Sequence, residues 1–305
     1  MKKYLFIFIA IALLLSACGD SKEESKRITR AERQRLARED SAALKVGVLP
    51  TLDCLPVYLA KERQLFEKYG ADVRPKAFTA QLDGVEALRK GRVEGTVSDV
   101  VRAERLKKRG TAVRYVAATN AYWQFISNRK ARVRELRQMT DKMVAMTNFS
   151  ATDMLAQMCI DSVKLKRDDV FRVPVNDVHV RLLMLKNNEL DAMLLTEPQA
   201  AEARVYKNPV LMDTRHKDLQ LGAFIFSEKA LKGKERQKQL QAFVKAYNAA
   251  CDSLNRNGLE RYADIIWKYM KADNDVVKEL PKMTFPHAKQ PRQKDIEAAQ
   301  RWLGK

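Results

Sequence analysis

Residues 44–73 read LKVGVLPTLDCLPVYLAKERQLFEKYGADV, and their pattern decides the fold. Residues 44–49 form a short β-branched, apolar run that predicts a buried strand. Residues 57–69 then carry apolar positions at helical spacing and stop at Gly70, and 73–78 reads as the next strand. The same alternation continues outward. A helix over 82–90 closed by Gly91, a strand over 95–98, a helix over 100–109 closed by Gly110 and a strand over 113–118 follow in turn. That order calls for a mostly parallel sheet with helices on its faces.

The alternation restarts beyond the basic stretch around Arg132. Strands are expected over 142–146, 170–175, 192–195 and 210–212, with helices over 152–163, 178–187 and 198–206, the last with Pro198 in its first turn. A second α/β domain follows from this restart. After Gly222 a strand over 223–226 leads into helices over 235–256, 259–271 and 294–303.

The N-terminus has a different character. Lys2 and Lys3, an apolar run over 4–15 and the ending Leu15-Ser16-Ala17-Cys18 make an export signal. The run falls short of the roughly 20 residues that cross a bilayer. Its ending resembles the bacterial lipoprotein signal, which implies cleavage before Cys18 and acylation of that residue. Acyl chains bind membranes at about 0.8 kcal/mol per buried methylene, so the expected location is the cell envelope, anchored by lipid and facing the periplasm or exterior. Residues 19–43 are charged and carry no aromatic side chain. They are read as a tether, with at most a short helix over 30–38.

Residues 19–305 suffice for two domains of ordinary size, and the 46% hydrophobic content is that of a globular protein. The formal charge of +19 would suggest nucleic acid in a cytoplasmic chain. The basic clusters over 102–109 and 129–137 lack interleaved aromatic residues for base stacking, however, and an exported protein rarely meets nucleic acid. Anionic lipid or an acidic partner surface suits the charge better, and no nucleic-acid partner is expected. With Cys18 assigned to lipid, Cys54, Cys159 and Cys251 remain, an odd number, so at least one stays unpaired. Cys159 and Cys251 fall on apolar helix faces and read as core residues.

Several pieces, in order and at consistent separations, carry a resemblance. They are Val46-Gly47-Val48-Leu49-Pro50-Thr51, Val57-Tyr58-Leu59-Ala60, the helix end Leu65-Phe66-Glu67-Lys68-Tyr69-Gly70, and Gly91-Arg92-Val93-Glu94-Gly95 with Asp99. Leu195-Thr196-Glu197-Pro198 and Phe226-Ser227-Glu228-Lys229-Ala230-Leu231 follow. The chain resembles the solute-binding proteins of nitrate, sulfonate, taurine and thiamine-pyrimidine importers over residues 44–255. It departs from that pattern at Asn148-Phe149-Ser150, where many members have a glycine.

The resemblance implies a type 2 periplasmic-binding-protein architecture, α/β, with two lobes joined by a two-strand hinge. Lobe 1 is expected over 44–120 plus 222–305 and lobe 2 over 121–221, behind the signal 1–18 and tether 19–43. It further implies an ABC permease and ATPase as partners and a small-molecule solute. A monomer without cofactor is expected, and with no ligand pair at useful spacing no metal is expected either. A solute-sensing lipoprotein uncoupled from transport is the alternative. A thiamine-pyrimidine-synthase-like enzyme is a third reading, weakened because that group's clustered cysteines and sacrificial histidine have no counterpart here. No Gly-x-Ser-x-Gly, His-Glu-x-x-His or phosphate loop occurs either, so no catalytic residue is expected.

Ligands of parallel sheets lie beyond the carboxyl ends of the strands. The candidate contacts are therefore Thr51, Asp53, Cys54 and Tyr58 after the first strand, Gln81 after the second, Asp99 after the third, and Asn120 and Trp123 after the fourth. Ser150, Thr152, Asp177 and Glu197 come from the second domain. Asp53, Gln81, Asp99, Ser150 and Asp177 also stand where helix caps are wanted, and a cap alone is worth about 1 kcal/mol. Trp123 is either an aromatic wall or core. The loops are acidic through Asp53, Asp99, Asp177 and Glu197, which favours a neutral or cationic heteroaromatic solute with N–H donors over an oxyanion.

Overall fold

The computed structural model describes residues 20–304, so the export signal and Cys18 lie outside the described residues. The chain divides into two compact units, Met1–Ala43 and Leu44–Lys305. In the first, α1 (Asp20–Ala42) is one continuous helix where the composition suggested a tether with at most a short helical piece. The segment holds no glycine or proline, and Lys, Glu, Arg and Ala are good helix formers. Pairs such as Arg35 and Glu39, 3.6 Å apart one turn on, add local support.

The body from Leu44 opens with β1 (Leu44–Val48), α2 (Leu55–Glu62), α3 (Leu65–Lys68), β2 (Val73–Ala77) and α4 (Gln81–Arg89). Then come β3 (Gly95–Asp99), α5 (Val100–Lys108), β4 (Val113–Ala118), β5 (Gln124–Ser127), β6 (Lys142–Met146) and α6 (Ala151–Ser162). They are followed by β7 (Val170–Pro174), α7 (Val178–Lys186), β8 (Ala192–Leu195), α8 (Gln199–Val205), β9 (Val210–Asp213) and β10 (Gly222–Ser227). The chain ends with α9 (Lys234–Asn257), α10 (Ala263–Met270), α11 (Asn274–Glu279) and α12 (Gln293–Leu303). The helix expected over 57–69 is broken into α2 and α3 because Gln64 turns left-handed, with φ of 51°. Gly91 and Gly110 do end helices, at φ of 70° and 82°, a region glycine enters without steric penalty.

The strands form two five-stranded sheets, ordered β2-β1-β3-β10-β4 and β7-β6-β8-β5-β9. The two orders are equivalent. In each sheet the first strand pairs in parallel with the second and third, as Leu44 with Val73 and Val46 with Gly95. One antiparallel strand is then inserted before the fourth: β10 between β3 and β4, and β5 between β8 and β9. The inserted strands follow the points where the chain passes from one sheet to the other. The architecture is therefore the α/β, two-sheet fold that the sequence predicts.

Three apolar clusters hold this body together. One packs α2, α9 and α10 on the first sheet, with Phe243 against Phe66, Phe224, Phe226 and Tyr247. A second runs across both halves, joining Val101, Ala223 and Ile225 to Phe125, Val144 and Leu194. The third covers the second sheet's other face with Leu182, Leu185 and Ala200. All three lie within Leu44–Lys305, which thus has the cores it needs to fold alone. Cys54, Cys159 and Cys251 are free thiols buried in these clusters.

Candidate functional site

The strand ends of the two sheets face one another across a narrow cleft. From the first half, the turn after β1 places Thr51 and Asp53 there, on the 3-10 turn Leu52–Cys54. Thr51 Oγ1 donates to Asp53 Oδ1 at 2.6 Å and Thr119 Oγ1 to Oδ2 at 3.0 Å. Among the described residues no cation forms an ion pair with Asp53, and burial pushes its carboxyl above the ordinary range despite those hydroxyls. At the end of β3, Asp99 caps α5 by accepting from Arg102 N at 2.8 Å. In the amide orientation that satisfies both groups, Gln81 donates to Asp99 Oδ2 at 2.6 Å. Burial raises the Asp99 carboxyl also, opposed by the charge of Arg102 and by backbone N–H groups including Ala151 of the other half.

From the second half, the turn after β6 is tied by short bonds. Ser150 Oγ donates to Thr147 O at 2.7 Å, and Thr147 N donates to Thr152 Oγ1 at 2.9 Å. Behind it stands Arg181, only 4% exposed. Its guanidinium donates to Leu194 O at 2.7 Å, to Thr147 Oγ1 at 2.9 Å and to Val175 O at 2.6 Å. These acceptors are all neutral. Burial draws its pKa down to about 10, with the charge of Asp177 opposing.

Together these groups enclose a cavity of about 50 Å³ open to the centres of water molecules. Its apolar wall includes Leu49, Val97, Trp123, Val178 and Leu195. Two further lining residues are informative because each has a buried polar atom with no partner: Ser98 through Oγ and Gln199 through Oε1. Buried polar groups are nearly always hydrogen-bonded, and an orphan costs about 1–3 kcal/mol.

The halves are drawn together around this cavity. Leu52 N donates to Glu197 O at 2.7 Å, Val178 N to Thr79 O at 3.0 Å, and Gln199 Nε2 to Pro50 O at 2.8 Å. Arg102 Nη2 reaches Asn148 O at 3.2 Å. The conformation is closed.

Of the residues expected to meet ligand, Thr51, Asp53, Gln81, Asp99, Trp123, Ser150 and Thr152 line the cavity. The others lie outside its lining and have work elsewhere. Cys54 is wholly buried in the core, its Sγ accepting from Leu49 N at 3.4 Å. Tyr58 donates to Leu49 O at 3.1 Å and stacks on Tyr269. Asn120 donates to Thr284 O at 2.9 Å. Asp177 caps α7 through His179 N and Val180 N. Glu197, before a cis bond to Pro198, holds Arg204 at 2.8 Å and Ala201 N at 2.8 Å.

Asp177 and Glu197 do not line the cavity, and Arg181 adds a cation that the loops alone did not reveal. A signal for Arg181 was present, since it shares the apolar helix face of Val178, Leu182 and Leu185, where an arginine must be buried.

A model of the NMT1-like family matches residues 37–266. No curated protein matches the sequence. Among solved structures, the chain is similar to the ligand-binding component of an ABC-type import system from Staphylococcus aureus. Their identity is 15% over 86% of this chain and 92% of that one, with a TM-score of 0.73. It is similar also to the alkanesulfonate-binding protein SsuA of Xanthomonas axonopodis pv. citri, at 17% identity over 86% and 91%, TM-score 0.72. The periplasmic nitrate-binding protein NrtA of Synechocystis PCC 6803 matches at 17% identity over 78% and 69%, TM-score 0.68. At these identities the likeness is one of fold.

Proposed function

The chain belongs to the NMT1-like family, and we propose that it is the substrate-binding lipoprotein of an ABC importer. In this reading it is moored through Cys18 outside the cytoplasm, works as a monomer, and captures a small solute between lobes 44–120 plus 222–305 and 121–221 for delivery to a permease. One observation carries it: an enclosed cavity between two sheet ends is lined by an unpaired carboxylate, an unpaired guanidinium and two orphaned polar atoms.

These groups make the empty closed state unfavourable. A ligand that meets Ser98 and Gln199 removes orphan penalties of about 1–3 kcal/mol each, and only the closed form presents both halves to it at once. Solute thereby shifts the population from open to closed, a hinge motion on the strands that pass between sheets. Nothing in the cavity is set up for covalent chemistry. Burial pushes the nearby Cys54 thiol well up, away from the reactive thiolate, which supports binding without turnover.

The solute that fits offers donors toward Asp53 and an acceptor toward Arg181, flat enough to lie against Trp123. A neutral heteroaromatic compound meets these terms. The cationic one that the loop charges favoured would face Arg181 at close range. The test is the thermal stability of the Leu44–Lys305 body against pyrimidines, flavins, sulfonates and amino acids. One class should raise stability by about 2.7 kcal/mol at a hundredfold excess over Kd. A panel in which nothing moves the melting curve overturns the reading.

A further inference from the structure

With a lining distinct from that of the cavity, α4 and α5 flank a second groove of about 480 Å³. Its wall carries Arg89, Arg102, Arg105 and Arg109 against one carboxylate, Glu86. Arg89 and Glu86 satisfy each other through bonds of 2.8 and 2.7 Å. The remaining arginines have no ion-pair partner among the described residues. Among the described residues the guanidinium of Arg102, a residue 3% exposed, gives one hydrogen bond, to Asn148 O, and its Nε is buried without a partner. Asp99 and Asp153 act on it only through their fields. Arg105 holds its guanidinium carbon 3.6 Å from the centroid of the Phe149 ring, and its side chain makes no hydrogen bond among the described residues. Burial and the like charges of Arg109 and Arg102 hold its pKa below the ordinary value.

We propose that this groove is a second binding site, separate from the solute cleft, for a phosphate-type oxyanion borne on a small organic group. Like charges converge on a concave surface and repel one another until an anion arrives, and such a surface focuses positive potential. The guanidinium fork matches the oxygen spacing of phosphate, and each arginine can give two parallel bonds. A planar carboxylate has too few oxygens to engage Arg102, Arg105 and Arg109 together, whereas a tetrahedral dianion has enough. The volume suits a small molecule. Leu82, Val85 and Leu106 provide an apolar wall for the group that carries the phosphate.

That chemistry is shared by soluble phosphomonoesters and by the phosphomonoester headgroup of phosphatidic acid, and the experiment separates them. Binding of glycerol 3-phosphate to the Leu44–Lys305 body is measured by calorimetry at low salt. Cosedimentation is measured with phosphatidic acid and with phosphatidylcholine vesicles. The variant R105Q/R109Q is compared with K245Q/K282Q, which makes the same charge change at exposed sites on α9 and in the segment after α11.

The site exists if the arginine variant loses tenfold or more in affinity while the lysine variant keeps wild-type binding. Loss in the soluble arm names a free phosphomonoester as ligand. Loss confined to phosphatidic acid vesicles names a headgroup. The inference is overturned if neither arm binds or if both variants lose equally, since diffuse charge then explains the result. Unchanged melting of both variants confirms that they fold.

Discussion

Replacing Arg204 with methionine should destabilise the body by about 3 kcal/mol, through the buried Glu197 it leaves behind. Arg204 Nη1 lies 2.8 Å from Glu197 Oε1, with the two side chains 16% and 4% exposed. Removing one partner of a buried pair costs about 3–5 kcal/mol, and the partial exposure of Arg204 puts this case at the lower end. Its second ion pair, to Glu279 at 3.3 Å, adds little because that carboxylate is 49% exposed. For a body of this size about 3 kcal/mol lowers Tm by about 6–12 °C. The double variant E197Q/R204M should recover about 2 kcal/mol relative to the sum of the singles. The amide oxygen introduced by E197Q can still accept from Ala201 N, which in the wild type donates to the carboxylate at 2.8 Å.

The same reasoning fixes a pH dependence. Burial already raises the Glu197 carboxyl in the folded state, and the charge of Arg204 is the largest opposing influence. Without Arg204 the folded pKa rises further, so the folded state takes up a proton before the unfolded chain does. The deficit of R204M is then full above that folded pKa and shrinks as pH falls through it. Urea denaturation of wild type and the three variants at pH 7 and pH 5 measures both effects. A coupling below about 0.5 kcal/mol, or a deficit that ignores pH, refutes the account of Glu197 as a buried structural anion.

Asp53→Asn removes an unpaired buried charge while keeping its shape. Stability at pH 7 should hold or rise by about 1 kcal/mol, and the gain that wild type shows as pH falls through the raised Asp53 carboxyl should vanish in the variant. A loss beyond about 2 kcal/mol in urea denaturation contradicts this. Ser98→Ala deletes a hydroxyl with no protein partner. Its melting should match or exceed wild type while calorimetric affinity for the solute falls about tenfold, one buried hydrogen bond's worth. Unchanged affinity removes Ser98 from the binding site. Gly95→Ala puts a Cβ 2.5 Å from the Phe226 ring, and denaturation should show a loss of about 1–3 kcal/mol. A neutral outcome means that the ring can move aside.

Much of the fold was legible because its signals are local. Strands buried on both faces read as short apolar runs, as β1 and β8 do, and Gly91 and Gly110 marked helix ends by their backbone freedom. The errors came where a local signal was weighed against the wrong competitor. Residues 20–42 lack an apolar face, which argued for a tether, yet helix propensity and pairs one turn apart need no core. The short α11 went unread although Asp273 caps it by accepting from Val276 N at 3.0 Å, because the β-branched pair Val276 and Val277 speaks against a helix. The break at Gln64 depends on how α2 and α3 pack on α9 and has no mark in the sequence.

The cleft was legible to the extent that parallel sheets dictate it. Residues that follow strand ends face the opening, hence Thr51, Asp53, Asp99 and Ser150. Which loop residues support the wall and which form it was a tertiary matter. Glu197 turned inward to Arg204, while Gln199, two residues on, lined the cavity with an orphaned oxygen. Arg181 shows what a loop-only inventory omits. Helical side chains lean toward the helix N-terminus, so a residue one turn beyond a helix start that lines the cleft reaches back into it. Val178 lines the cavity at the start of α7, and Arg181 stands three residues on. Because the second turn of such a helix is as much a part of the cleft as its first loop, the polarity of the solute has to be argued from both. Here that adds a cation to a wall otherwise read as acidic.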